Sequence, residues 1–355
     1  MVYQILTINP GSTSTKIGLY HDTTEVFVQN ITHSAEDIAT FPSITDQFNY
    51  RLENIAAFLA KQNIRVSDLS AIVARGGLLR PMVSGTYQIN SAMLDDLKHN
   101  CYGAHASNLG ALIADKLASE AGCPGYIVDP VVVDELAPVA RLSGRPEITR
   151  KSIFHALNHK AVAKRFAKTV NRSYDSLNLI IAHLGGGISV ACHTLGKAVD
   201  VNNCLNGEGP FSPERAGTLP AKQFADKIIS EKLDINTIAS QLAGKGGLMA
   251  HLGTTDVREV EGRIKAGDEQ AALVYQAMIY TIAKSIGAAA IPVCGKVDYI
   301  ILTGGIAHSE QLTAKLKEYV DFIAPVIILP GENELQALAE GAYRVLIGEE
   351  TAKEY

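Results

Sequence analysis

Near the start of the chain, ILTINP is mainly apolar, GSTST is small and polar, and KIGLYHDTTEVFVQN alternates apolar with polar residues around a tight turn at HDTT. Period-two alternation interrupted by Gly, Ser and Thr predicts strand, loop, strand, turn, strand. The arrangement returns from Leu179 as LIIAHLGGGISVACHTLGKAVDVNN, and setting Gly11 on Gly185 keeps the second and third strands in step. A pattern that recurs after about half the chain predicts two domains built on one plan.

Between the copies, apolar residues recur at helical spacing over residues 48–62 and 109–121, and the short runs AIVA and YIVD read as strands. After the second copy come a helix-rich region, a long helix over residues 269–290, the buried-type strand YIILTGG, another helix and the strand VIILP. Strands and helices in this mixture predict α/β layers. The stretch ARLSGRPEITR, with Gly144 and Pro146, is the expected hinge. It divides the chain into residues 1–148, completed by a C-terminal helix within 335–355, and residues 149–334. Thr149 is the expected N-cap of a helix KSIFHALNHKAVAKRFAK with Ile153, Phe154 and Leu157 on its apolar stripe. Arg150, Lys151, Lys160, Lys164 and Arg165 then form its solvated basic face.

Composition narrows the function classes. With 355 residues and 47% hydrophobic content the chain can bury a core for about two domains. The net charge of −5 is scattered, so no basic stripe points to nucleic acid or anionic lipid, and any phosphate binding must be local. The five cysteines are odd in number and form no CxxC pair, which suits a reducing cytosol and structural roles. No run of about 18 apolar residues occurs, and MVYQILTINPG lacks a basic leader, so a soluble, cytoplasmic protein without membrane partners is expected.

Chemistry concentrates in the loops. Gly11 permits a tight turn, Ser12, Thr13, Ser14 and Thr15 offer hydroxyls, and Lys16 adds a compact positive charge, together a phosphate cradle that is not a Walker A match. In HLGGGIS, after His183, Gly185, Gly186 and Gly187 let backbone amides approach an anion unobstructed. A third glycine turn at Gly304 and Gly305 follows a strand and precedes a helix, where donors favour a nucleotide phosphate. His155 and His159, four residues apart, have a spacing that can ligate zinc, but no third ligand accompanies them.

Taken in order, these segments resemble the acetokinase family of carboxylate kinases, over nearly the whole chain. NPGSTSTK matches its first phosphate loop at Asn9, Ser12, Ser14 and Lys16, and VDPVVVDELAP its acidic strand end at Asp129. FHALNH resembles FHGTSH at Phe154, His155 and His159, HLGGG resembles HLGNG, PERAG supplies Arg215, TTDVRE supplies Asp256 and Arg258, and GENEL supplies Glu334. The resemblance implies two duplicated actin-like, ribonuclease H-like α/β domains with a nucleotide cleft between them. It also implies ATP or ADP as nucleotide, Mg²⁺ near Asn9, Asp129 and Glu334, His155 and Arg215 stabilising the transition state, a homo-oligomer, and a short-chain carboxylic acid as substrate. One segment departs from the pattern: where acetate kinases have HRVVHGG this chain has AIVARGG, so the substrate-contacting arginine falls on Ile72 and Arg75 stands in place of a histidine. Arg75 is the expected substitute, with Arg80 as the second candidate. The departure, and a chain shorter than acetate kinases, point to the butyrate-using branch. Two other readings stay open here: a sugar kinase, which would need a base for its alcohol substrate, and an actin-like ATPase module that hydrolyses ATP without an acid.

Overall fold

In a computed structural model, which describes residues 2–355, the chain divides into two compact units, residues 2–133 with 333–355, and Asp134–Glu332. Unit one holds six strands: β1 (Gln4–Pro10), β2 (Ser14–His21), β3 (Thr24–Thr32), β4 (Ala71–Arg75), β5 (Thr86–Gln88) and β6 (Gly125–Val128). They form one sheet in the order β3-β2-β1-β4-β6-β5. β1 pairs antiparallel with β2 and parallel with β4, which is parallel to β6. Unit two holds β7 (Leu179–Leu184), β8 (Ile188–Thr194), β9 (Lys197–Val201), β10 (Tyr299–Gly304) and β11 (Val326–Pro330) in the order β11-β10-β7-β8-β9.

The repeat seen in the sequence is thus a repeat of pairing. β3-β2-β1-β4-β6 recurs as β9-β8-β7-β10-β11, with parallel and antiparallel neighbours in the same places. Each first hairpin closes over three residues, 11–13 and 185–187. In both units the register slips once between the second and third strands, at Leu19/Tyr20 and at Cys192/His193.

Alternation explains the layers of unit two. Ile180, Ala182 and Leu184 of β7 pack with the long helix Glu269–Ala288, while Leu179 and Ile181 pack with Val162 and Phe166 of the helix Ala156–Thr169. Successive side chains of a strand point to opposite faces, and both faces are covered, so LIIAHL is buried throughout. In unit one, the helix Asn108–Ala121 packs on β4 and β6, and Glu334–Leu346 returns from the far end of the chain to pack on β1.

Three expectations need correction. Unit two begins at Asp134, not 149, because residues 134–150 are tied into it. Arg141 grips Asp134 with two bonds of 2.7 and 2.8 Å, the Ala137 amide donates to the Val199 carbonyl, and Leu142 bridges Thr149. The presumed hinge is therefore a closed loop. Thr149 caps no helix, since residues 150–155 are not helical and the helix begins at Ala156 with His155 at its N-cap, so only Leu157 of the proposed stripe is helical. The basic face also fails: the Arg150 guanidinium binds Asp200, Glu208 and two carbonyls, and Lys160 is 1% exposed.

Lys160 donates to Glu135 at 2.6 Å and to the Gly196 carbonyl, and Glu135 also accepts from the Ala198 amide. Removing one partner of a buried pair strands the other charge, so Glu135→Ala should lower unfolding free energy by about 3–5 kcal/mol. The joint variant Glu135→Leu with Lys160→Met should recover most of the loss in denaturant midpoint, and a joint variant as weak as the single one would mean the pair does not act as a pair.

Candidate active site

Parallel pairing sets β1, β4 and β6 so that Asn9, Arg75 and Asp129 fall at or just past neighbouring carboxyl ends, where α/β sheets present their ligands. Glu334, the first residue of the helix packed on β1, completes the group. Its carboxylate accepts from Asn9 Nδ2 at 2.5 Å and lies 3.1 Å from Arg75 Nη1. Asp129, 3% exposed and at φ +38°, accepts through Oδ1 from Ser84 Oγ at 2.6 Å and the Gly85 amide at 2.7 Å. A bulky residue at that positive φ would be strained, and the two donors fix the carboxylate's direction. Ile72, by contrast, is fully buried in the core of β4. Arg80 is exposed and lies 4.0 Å over the Tyr355 ring, so Arg75 is the arginine held at the strand ends.

The first hairpin loop turns its carbonyls inward. Arg51, wholly buried, donates to the carbonyls of Gly11, Ser12 and Ser14 at 2.8, 3.0 and 3.1 Å and to Thr15 Oγ1, and is braced by Gln47. The His33 amide takes the Thr13 carbonyl at 2.9 Å, and its ring contacts Thr15 Oγ1. Burial and the nearby Arg51 push His33 below its ordinary value, so it brings no second charge. With every carbonyl from 11 to 14 satisfied inside, Ser12 and Thr13 are exposed. Lys16, exposed on β2, is the direct cross-strand neighbour of Asn9.

In unit two the Gly186 carbonyl accepts from Ser212 Oγ at 2.5 Å and from the Glu214 amide at 3.4 Å. Arg215 packs against Gly187, where a Cβ would collide with its guanidinium. Its Nη1 donates to the Cys204 carbonyl at 2.7 Å, Glu214 is 3.8 Å away, and its buried Nε has no partner among the described residues. His155 stacks on His183 with ring centres 3.8 Å apart, and His183 Nδ1 meets Asn158 Oδ1 at 2.9 Å. His155 and His159 share Ser189 Oγ, at 2.8 and 2.9 Å.

A cavity of about 950 Å³ in the same unit is lined in part by Gly186, Asp256, Arg258, Glu261, Lys265 and Gly305. Asp256 caps the helix Val257–Lys265, and hydrogen bonds from Arg258 hold its carboxyl down at about 2. Gly304 sits at φ +89° with its Cα against the backbone of Leu184, which leaves no room for a side chain. The helix expected directly after Gly305 begins only at Glu310, beyond a 3₁₀ turn, and is capped by Ser309. Among the described residues no three metal-ligating side chains converge, and no helix is long and apolar enough to cross a membrane.

The model of the acetokinase family matches residues 143–327. The whole chain aligns with the whole of "butyrate kinase 1" from Clostridium acetobutylicum at 52% identity and with a "probable butyrate kinase" from Listeria innocua at 50%. The chain belongs to the acetokinase family. Among solved structures, acetate kinase from Porphyromonas gingivalis and a propionate kinase from Francisella tularensis each superpose with a TM-score of 0.75 at 19% identity, covering 96% of this chain and 99% of theirs. The two-domain acetokinase fold is therefore also the fold of this chain.

The structure joins Asn9, Arg75 and Glu334 in one bonded group, His155 with His183 in another, and Gly186, Asp256, Arg258 and Gly305 around one cavity. Sequence reasoning missed Arg51, Ser84, Asn158 and Ser189. Ser189 stood inside HLGGGIS, and Asn158 inside FHALNH. Arg51 had one signal: it falls with Ile55 and Leu59 on the buried stripe of the helix Phe48–Lys61, a position for an apolar residue unless a polar loop lies above it. Lysine cannot reproduce the guanidinium fork, and hydrogen bonds to charged groups contribute about 1.5–3 kcal/mol each, so Arg51→Lys should cost about 3 kcal/mol or more of stability. Chemical denaturation checks this, and a loss under about 1 kcal/mol would remove Arg51 from the support of the loop.

Proposed function

We propose that this chain transfers the γ-phosphoryl group of ATP directly to a short-chain carboxylic acid, butyrate above all, giving an acyl phosphate and ADP, in a reaction that also runs backward to make ATP. The observation that carries the reading is full-length identity of 50–52% to butyrate kinases, with no segment of the chain left over.

A carboxylic acid of pKa about 4.5 is already an anion at neutral pH, so the nucleophile needs no base. The obstacle is repulsion: two unit charges about 4 Å apart repel by roughly 1 kcal/mol in water and 4 kcal/mol at a protein-like dielectric. Catalysis is then positioning and positive charge. In this reading the nucleotide takes the cavity bounded by Gly186, Asp256, Arg258 and Gly305. Arg215 and His155 meet the phosphoryl group in transit. Arg75, offset by Glu334, receives the substrate carboxylate, and the amides of Ser12 and Thr13 with Lys16 receive phosphate oxygens.

The acidic group of unit one suits Mg²⁺, a hard cation that is bound through one or two carboxylates and the substrate's own phosphates. Asp129 and Glu334 would hold it, with Asn9 beside them. When bound it neutralises phosphate charge. The pairs already made by Glu334 with Asn9 and Arg75 keep that carboxylate oriented in the meantime. Asp129 is assigned to the metal and not to proton removal.

These roles separate in kinetics. Arg215→Ala should lose kcat on the order of a hundredfold or more with little change in KM, because its charge acts on the transition state. Asp129→Asn should instead move the Mg²⁺ dependence to higher concentration. Near-wild-type turnover of the first variant, or unchanged metal dependence of the second, would strike that residue from its role.

Acid preference is tested by kcat/KM over acetate, propionate, butyrate and isobutyrate with acyl phosphate trapped as it forms. Two further buried methylenes at about 0.8 kcal/mol each favour butyrate over acetate by roughly 1.6 kcal/mol, some fifteenfold. Propionate and isobutyrate should be accepted, and acetate poor but measurable, because an apolar pocket discriminates weakly against shorter chains. ADP release that ignores added acid would favour an ATPase module instead.

A further inference from the structure

Behind His155 runs a line of polar groups that the phosphoryl-transfer reading does not use. Ser189 Oγ contacts His155 Nδ1 at 2.8 Å and His159 Nε2 at 2.9 Å. His159 Nδ1 meets His193 Nε2 at 3.2 Å, and His193 Nδ1 meets the Tyr174 hydroxyl at 2.7 Å. Ser189, His159 and His193 are all 0% exposed. Burial above all, then His183 and Lys160 for His159 and His159 and Lys160 for His193, push both well below the ordinary histidine value, and both rings are neutral.

A neutral imidazole has one N–H and one lone pair, so each contact in such a line forces the next. If His159 or His193 reverses, so must the other. A hydroxyl can accept twice, so three arrangements of the line exist: every proton pointing from Tyr174 toward His155, every proton pointing back, or both rings donating to Ser189 Oγ, which would leave the buried Ser189 proton without an acceptor in the line. Both ends select the first. At the far end a phenol is the better donor and an imidazole nitrogen the better acceptor. At the near end a phosphoryl oxygen has no proton to give, so the ring facing it must donate.

Resting on the reading that His155 meets the phosphoryl group, we propose that Tyr174, His193, His159 and Ser189 are positioning residues forming a one-way hydrogen-bond chain. Its last link, the Ser189 hydroxyl, donates a hydrogen bond to the lone pair of His155 Nδ1 and thereby keeps the His155 proton on Nε2. Stacking on His183 fixes the plane of the same ring, and the bond of His183 to Asn158 fixes that partner in turn. The Asn158 Nδ2 group donates to the Glu332 carbonyl at 3.1 Å, which leaves its Oδ1 as the acceptor for His183. Tautomer and plane of the functional ring are thus set by groups that touch no substrate.

The tautomer is read directly from ¹⁵N chemical shifts of histidine-labelled full-length protein, with His155 assigned by its loss in His155→Gln. A bare Nδ1 and protonated Nε2 are expected in the native protein, and a proton mainly on Nδ1 would overturn the proposal. Tyr174→Phe keeps the ring and removes the terminal donor, and Ser189→Ala cuts the chain at its last link. Each should populate the other tautomer and lower kcat by about 10–100-fold, the range typical of partners that orient a functional histidine, with KM for acid and nucleotide within about twofold. Ser189→Thr, which retains the hydroxyl, should restore both. Should Ser189→Ala fail to fold, the half-buried end of the chain at Tyr174→Phe carries the test alone. Lower kcat with an unchanged His155 tautomer would make these residues merely structural and overturn the chain. A changed tautomer with unchanged kcat would leave the chain standing and instead remove His155 from the reaction.

Discussion

The structure depends on how each unit satisfies the carbonyls of the turn that follows its first central strand. A three-residue hairpin has too few internal bonds for its own carbonyl groups, and buried unpaired carbonyls are costly. Unit one meets the demand with one buried arginine, whose guanidinium takes three loop carbonyls at once, and with the His33 amide. Unit two meets it with Ser212 and the Glu214 amide on Gly186. Carbonyls drawn inward leave amides facing out, which is the polarity an anion requires. Strand register then brings Asn9, Arg75 and Asp129 to neighbouring ends in the first unit, and the same pairing scheme brings His183, Gly304 and Pro330 to neighbouring ends in the second.

Charge at these ends is held ready by being offset. Arg75 faces Glu334, Arg258 faces Asp256, and Arg215 rests on a carbonyl with Glu214 at the edge of its reach. None of these cations is so deeply paired that a phosphate or carboxylate ligand must first break a buried ion pair. The pair that is deeply buried, Lys160 with Glu135, lies at 1% and 5% side-chain exposure and serves the scaffold instead. The histidines divide in the same way: His159 and His193 are kept neutral by burial, and His155 and His183 form the stacked pair at the glycine loop.

Much of this was legible beforehand. The two hairpins, the three-residue loops between their strands, the helices around residues 48–62 and 109–121, the buried strand YIILTGG and the strand VIILP follow from local periodicity and turn residues, and the structure has them within a residue or two of the expected positions. The unit boundary was misplaced because Gly144 and Pro146 mark a loop as strongly as they mark a hinge. Only the bonds from Arg141 and Arg150 into Asp134, Asp200 and Glu208 reveal which it is. Thr149 looked like a helix cap for the same reason: its residue type was right, but the neighbouring Arg150 is held on β9 and the backbone cannot turn until His155.

By itself, then, the chain's sequence determined the doubled α/β plan and the residue types at each glycine turn, since strand alternation and tight turns are governed by neighbours within a few positions. Tertiary structure decided which charges are buried and what they meet. Asn9 finds Glu334 across 325 positions, Arg51 finds the Gly11 carbonyl across 40, and Lys160 finds Glu135 across 25. A charged residue on an amphipathic helix has the same local pattern whether water or a polar loop lies above it. The difference is a desolvation energy, and that depends on groups brought close only by folding.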